Sequence, residues 1–225
     1  MENPPVTQTS YKEPCPTWFW NPAKGLCRIV TTRMFDLKTH GLHNIPKRGG
    51  ALLISNHQSY LDPVLLGVQI RRQISFIAKS ELFEKPSLAW LIKMLNTFPV
   101  RRGESDVSAM REALRRIHEG EILTMFPEGT RSFDGNLLPM QSGIALLVKR
   151  AQVPVIPAVI DGSYRAWPRG KKIPHHHPIR LLYGPPLDVS HLKSNQIMQH
   201  IKDTFTSMLT HLRQLHPELR HTNHH

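Results

Sequence analysis

From Ala51 onward the chain switches repeatedly between two hydrophobic periods. Short apolar runs predict strands at 51–55, 74–78, 122–126, 153–160 and 179–183. Between them, spacings of three and four residues predict helices near 63–70, 86–95, 106–119, 141–151 and 194–215. The helix at 106–119 carries the clearest stripe: Val107, Met110, Leu114 and Ile117, with Gly120 placed to stop it. The last helix puts Ile197, Ile201, Phe205, Met208, Leu212 and Leu215 on one face, which predicts that it covers the same domain. Strands alternating with helices predict a single α/β domain, with a mostly parallel sheet flanked by helices. No internal repeat interrupts this order.

The N-terminal region follows a different pattern. Residues 1–16 are polar, with Pro4, Pro5, Pro14 and Pro16, and read as a disordered arm. Residues 17–40 read as an amphipathic membrane-interface segment. Trp18, Phe19 and Trp20 open it, and helical spacing then puts Leu26, Val30, Met34 and Leu37 on one face, with Cys27 and Ile29 at its margins. Lys24, Arg28 and Lys38 fall outside that face, and Arg33 falls within it. An aromatic cluster beside such a helix suits an interfacial anchor, with Arg33 snorkelling to water. A helix packed on the domain fits equally well. The domain proper is expected over 41–216, with 217–225 as a tail.

Composition narrows the classes. At 225 residues, 40% apolar and 20% charged, the chain suits one globular domain with a substantial core. Its net charge of +12 points to an anionic partner: nucleic acid, acidic protein, a phosphate-bearing substrate or an anionic membrane. Two cysteines, Cys15 and Cys27, make no disulfide framework, so a reducing compartment is expected. Neither a signal-peptide pattern nor an uninterrupted membrane-length apolar run is visible, so no transmembrane helix is predicted.

The candidate chemistry gathers at strand ends. Asn56-His57 stops the run at 51–55, and Asp62-Pro63 follows. A histidine oriented by a carboxylate is half of a general-base device. The missing half, a nucleophile, suits an enzyme that draws it from an acceptor hydroxyl. Asp62-Pro63 also reads as an ordinary helix start, with Asp62 as N-cap. Phe126-Pro127-Glu128-Gly129-Thr130-Arg131-Ser132 follows another strand; Gly129 permits a tight path, and Arg131 can fork onto a phosphate or pair with Glu128. Phe98-Pro99-Val100-Arg101-Arg102-Gly103 reads as a basic loop before a helix, and Lys79 follows the strand at 74–78. His175-His176-His177 has no cysteine or carboxylate cluster at ligand spacing, so no metal site is expected. The run Tyr164, Arg165, Trp167, Arg169, Lys171, Lys172 suits nucleic acid, anionic lipid headgroups or plain solvent. No Gly-x-Ser-x-Gly, Walker A, Gly-x-Gly-x-x-Gly or His-Glu-x-x-His motif occurs.

Taken in order, Asn56-His57-x4-Asp62, Phe98 to Gly103, Phe126 to Ser132 and Val153-Pro154-Val155-Ile156-Pro157 resemble the four blocks of the glycerolipid acyltransferases. The likeness is strongest to the 1-acylglycerol-3-phosphate acyltransferase branch. It implies a glycerolipid-acyltransferase-like fold, with His57 and Asp62 in catalytic roles. It also implies Arg101, Glu128, Gly129 and Arg131 in the acceptor site, Lys79 on the acceptor phosphate, and the fourth block on the acyl-binding side. The implied reaction moves a fatty acyl group from acyl-CoA or acyl carrier protein to the free hydroxyl of 1-acylglycerol 3-phosphate. The thioester is a co-substrate; no other cofactor, no metal and no nucleic acid is expected. The implied setting is peripheral, on an anionic membrane surface at the cytoplasmic face, with acyl carrier protein a further partner. Glycerol 3-phosphate, another lysophospholipid or a lyso-aminolipid are alternative acceptors. A non-catalytic basic binding module is the alternative class.

Overall fold

The computed structural model describes residues 17–72, 74–79, 96–100 and 107–219, with side chains for 24–72, 74–77, 96–98 and 107–219. The arm at 1–16, the helix expected near 86–95, Arg101 and the tail beyond 219 lie outside the described residues, as does the Lys79 side chain.

The chain runs α1 (Thr17–Phe35), β1 (Lys38–His40), β2 (Ala51–Ser55), α2 (Asp62–Gln69), β3 (Ile74–Lys79) and β4 (Thr97–Val100). It continues through α3 (Val107–His118), β5 (Ile122–Met125), α4 (Gly143–Ala151), β6 (Val155–Asp161), the short α5 (Ser163–Ala166), β7 (Arg180–Tyr183) and α6 (Ser194–Leu215). The strands form one seven-stranded sheet in the order β1-β7-β6-β2-β5-β3-β4. Every neighbouring pair is parallel except β6 and β7, so the mostly parallel α/β sheet is as expected.

Strand β2 lies at the centre, between β5 and β6, and is buried along its length. A strand covered on both faces needs apolar side chains in both directions, which is why 51–54 reads as a continuous run. Its alternate residues enter different cores. Leu52 and Ile54 join Ile117, Ile144, Val148, Ile201 and Phe205, under α3, α4 and α6. Ala51 and Leu53 join Phe35, Leu65, Leu66 and Tyr183, under α1 and α2.

Several expectations shift. Strands β1 and β4 were not foreseen from apolar runs. β1 is three residues of Lys-Thr-His. β4 contains Pro99, which cannot donate to a ladder and suits an edge position. The stripe of α3 is rolled: Val107 is 61% exposed, while Ala109, Ala113 and Ile117 are buried. Met110 and Leu114 still pack against the core, and Arg116 turns inward beside them to bond Glu112 and Asn96, 4.9 Å over the Phe98 ring. In α6, Leu209 takes a buried place, and Leu215, in the last turn, is half exposed.

Helix α1 packs on the domain along its C-terminal half, one of the two readings of the N-terminal segment. Its C-terminal turn buries Thr31 and Phe35, Leu37 follows into the core, and residues 38–40 join the sheet. Lys24 Nζ reaches the carbonyls of Ile70 and Arg72, both at 3.2 Å. Leu26, Ile29 and Val30 nevertheless remain exposed on its outer side.

Candidate active site

The site forms where β2, β5 and β6 end, at the carboxyl edge of the sheet, the usual place for ligands in such folds. β2 delivers Asn56 first. Its amide is buried and clasps β6: Nδ2 donates to the Ile160 carbonyl at 2.9 Å, and Oδ1 accepts from Ile160 N–H at 2.8 Å. This two-way bond fixes the strand end from which His57 departs. The next residues turn sharply, and Asp62 opens α2 with Pro63 in its first turn.

Asp62 is not the expected N-cap, because Leu61 holds that position and makes no side-chain cap. Its carboxylate turns backward instead. The fully buried Oδ2 accepts from Gln58 N–H at 2.6 Å and Ser59 N–H at 2.7 Å, and meets His57 Nδ1 at 2.8 Å. An ionised carboxylate accepts only, so His57 Nδ1 carries the proton and donates. The lone pair is left on Nε2, the other side of the ring. The ring stacks on Phe126, with centroids 4.0 Å apart and planes at 16°. About a sixth of the side chain stays exposed, at 17%, enough to present one edge to an incoming group.

Glu128 does not pair with Arg131, and it does not face outward as an acceptor ligand. It is 2% exposed, and both carboxylate oxygens are engaged by backbone. Oε1 accepts from His57 N–H and Oε2 from Leu138 N–H, both at 2.8 Å. Burial pushes its carboxyl up to about 7, against the pull of those two donors. Glu128 thus ties the His57–Asp62 turn to the loop that follows β5, and Ser132 N–H adds a second tie to the His57 carbonyl at 2.8 Å. Gly129 makes this path possible: its φ is +64°, and a Cβ would lie 3.1 Å from the Gln141 side chain.

Arg131 lies flat over Tyr60, its Cζ 3.4 Å from the ring centroid. Burial pushes its guanidinium below the ordinary arginine range, and nearby Arg169 pushes the same way. The structure therefore brings His57, Asp62, Glu128, Gly129 and Arg131 together. Lys79 ends β3, paired with Val100 of β4. A polar cavity of about 340 Å³ opens beside the pair, lined by Gln58, Asp134, Asn136, Asp161, Arg165 and Arg213 among others. It includes Gln58 but not His57, so it flanks the imidazole and does not cover it.

A family model described as acyltransferase matches residues 36–161, the stretch that carries this whole constellation up to the end of β6. The chain belongs to this acyltransferase family. Among relatives, a chloroplastic 1-acyl-sn-glycerol-3-phosphate acyltransferase of Brassica napus is 31% identical over 169 residues, covering 73% of this chain and 49% of the relative. The chain thus spans about half the length of that relative. A 1-acyl-sn-glycerol-3-phosphate acyltransferase of Bacillus subtilis is 28% identical over 173 residues, covering 75% and 84%. The crystal structure of the 1-acyl-sn-glycerophosphate (LPA) acyltransferase PlsC from Thermotoga maritima aligns with a TM-score of 0.73 at 26% identity. That alignment covers 87% of this chain and 81% of the other.

At this site Tyr60 was missed, and Asn56 and Phe126, although quoted within motifs, were given no role. Phe126 and Tyr60 had no chemical reason to be singled out, because their task is to carry another side chain on a ring face. Asn56 had a weak signal: a buried amide between an apolar strand and a histidine needs partners for both its ends.

Proposed function

We propose that this protein moves a fatty acyl group from a thioester donor, acyl-CoA or acyl carrier protein, to the free hydroxyl of 1-acylglycerol 3-phosphate, giving phosphatidate. The observation that carries the reading is the 2.8 Å contact between His57 Nδ1 and a fully buried Asp62. That contact leaves Nε2 as a base, and among the described residues no side-chain nucleophile is bonded to it. The acceptor hydroxyl supplies the nucleophile: Nε2 takes its proton as the oxygen attacks the thioester carbonyl. The tetrahedral intermediate then expels the thiolate, which takes the proton back from the imidazolium. Ester and free thiol leave, and the enzyme returns to its starting state. Asp62 keeps the proton on Nδ1 and stabilises the imidazolium while it lasts. The names of the relatives support a phosphorylated lysolipid as acceptor.

The deciding assay is purified protein against a panel of acceptors with both donors: 1-acylglycerol 3-phosphate, glycerol 3-phosphate, other lysophospholipids and a lyso-aminolipid. Transfer chiefly to 1-acylglycerol 3-phosphate is expected; preference for another acceptor moves the assignment to it. Arg131→Lys sharpens the assay. Lysine keeps the charge but loses the planar fork that lies on Tyr60. A lost charge-assisted hydrogen bond of roughly 1.5–3 kcal/mol lowers kcat/KM about ten- to a hundred-fold on phosphorylated acceptors. Equal losses on phosphate-free acceptors would make Arg131 structural.

The same reading places the protein peripherally on the cytoplasmic face of a membrane. Among the described residues no helix is long and apolar enough to cross one. Leu26, Ile29 and Val30 give α1 an exposed apolar side, with Arg28 and Arg33 exposed along the same helix. Sedimentation with anionic vesicles is expected to exceed that with neutral ones, and high salt to narrow the gap. Equal binding to both would remove the electrostatic part.

A further inference from the structure

Two guanidinium groups are stacked on aromatic rings near the site, close enough that Arg169 acts on the charge of Arg131. Arg131 lies over Tyr60, and Arg169 lies over Phe133 with its Cζ 4.4 Å from that ring centroid. The two stacks belong to one assembly. Tyr60 meets Trp167 at 5.7 Å between ring centroids, and Tyr164 Oη donates to the Phe133 carbonyl at 2.8 Å. Ser59 Oγ donates to the Trp167 carbonyl at 3.1 Å. The 131–133 loop, the 164–169 segment and the catalytic turn are thereby held as neighbours.

What the two arginines lack, among the described residues, is a bonded anion; Asp62 attracts Arg131 only through space. Among the described residues no carboxylate forms an ion pair with either. The nearby acids are committed elsewhere: Asp62 to His57 and the Gln58 and Ser59 amides, Glu128 to two backbone amides, Asp134 to Ser132 and Asn136. Like charges left close together repel, and aromatic faces offset only part of that. A surface that had only to be soluble would separate them or supply a carboxylate. An incoming dianion is what this arrangement suits, because each planar fork can take two oxygens of a phosphoryl group.

We propose that Arg169 is a second phosphate-binding residue, closing with Arg131 on the phosphomonoester of the acceptor, and that Tyr60 and Phe133 are the platforms that hold the pair open for it. The inference rests on the reading that the acceptor carries a phosphate. It extends that reading to a segment beyond residue 161, where the family match ends.

The test uses the full chain with a short-chain 1-acylglycerol 3-phosphate and a matching phosphate-free monoacylglycerol. Arg169 is exposed, so Arg169→Gln is expected to fold. Its KM for the phosphorylated acceptor should rise about tenfold, the loss of one charged hydrogen bond, with kcat changing much less. Inorganic phosphate should compete with that acceptor in the parent protein and compete correspondingly less in Arg169→Gln. Phe133→Ala should raise KM by a smaller factor. Lys172→Gln removes the same charge from the same exposed segment and should do little. Equal KM increases for Arg169→Gln and Lys172→Gln would overturn the grip in favour of a diffuse basic surface. An unchanged KM in Arg169→Gln, with the parent still preferring the phosphorylated acceptor, would overturn the grip and leave the function standing. A parent protein that uses only phosphate-free acceptors would instead sink the functional reading itself.

Discussion

Replacing His57 with alanine is expected to cut turnover by at least ~10²-fold, the usual scale for a general base, and to leave the protein folded. The first half follows from the site: among the described residues no other imidazole meets Asp62. The second follows from where the local hydrogen bonds sit. Glu128 and Ser132 hold residue 57 through its N–H and carbonyl, which alanine keeps. Two other amides, of Gln58 and Ser59, continue to satisfy the Asp62 carboxylate. Thermal unfolding close to that of the parent, together with the activity loss, is the expected pair of results. Near-normal turnover by a well-purified variant would remove His57 from the mechanism. Asp62→Asn should also be severe but is harder to read, because an amide cannot accept from three donors on one oxygen without turning its NH₂ toward something else.

The second large effect concerns stability. Arg180 opens β7 and is 1% exposed. Its Nη2 meets Asp36 Oδ2 at 2.7 Å and Glu218 Oε1 at 2.8 Å, and its Nη1 donates to the carbonyls of Asp36 and Ile179. One side chain thus joins the end of α1, the start of β7 and the turn after α6. Breaking a buried ion pair typically costs roughly 3–5 kcal/mol. Both acids here are about half exposed and can turn to water, which puts Arg180→Ala near the lower end, about 3 kcal/mol. Urea unfolding of parent and variant measures it. A difference under ~1 kcal/mol would mean that the three elements are held by apolar packing alone.

What could be read from the chain depended on distance along it. His57 and Asp62 sit in one short turn, so their spacing put the contact within reach of the sequence as one of two readings, the other being Asp62 as N-cap. The central strands were equally legible, because burial on both faces demands an unbroken apolar run. The edge strands β1 and β4 lacked that demand and left no pattern. The expected pairing of Glu128 with Arg131 failed for a different reason. Two opposite charges three residues apart are an obvious match, but His57 N–H and Leu138 N–H were left without partners by the same turns, and a buried carboxylate satisfies both. Arg131 then had to find support on Tyr60, which no local spacing announces. Arg180 had one overlooked sign: a lone cation at the head of an apolar strand needs an anion somewhere.

The Glu128 tether has a practical corollary. Because it grips main chain at both ends, it separates the task of keeping the turn in shape from the task of moving a proton. The residue at position 57 can then be emptied of its chemistry without unmooring its neighbours. A His57→Ala protein should therefore behave as a catalytically silent receptor, able to hold donor and acceptor together long enough for the loaded complex to be crystallised.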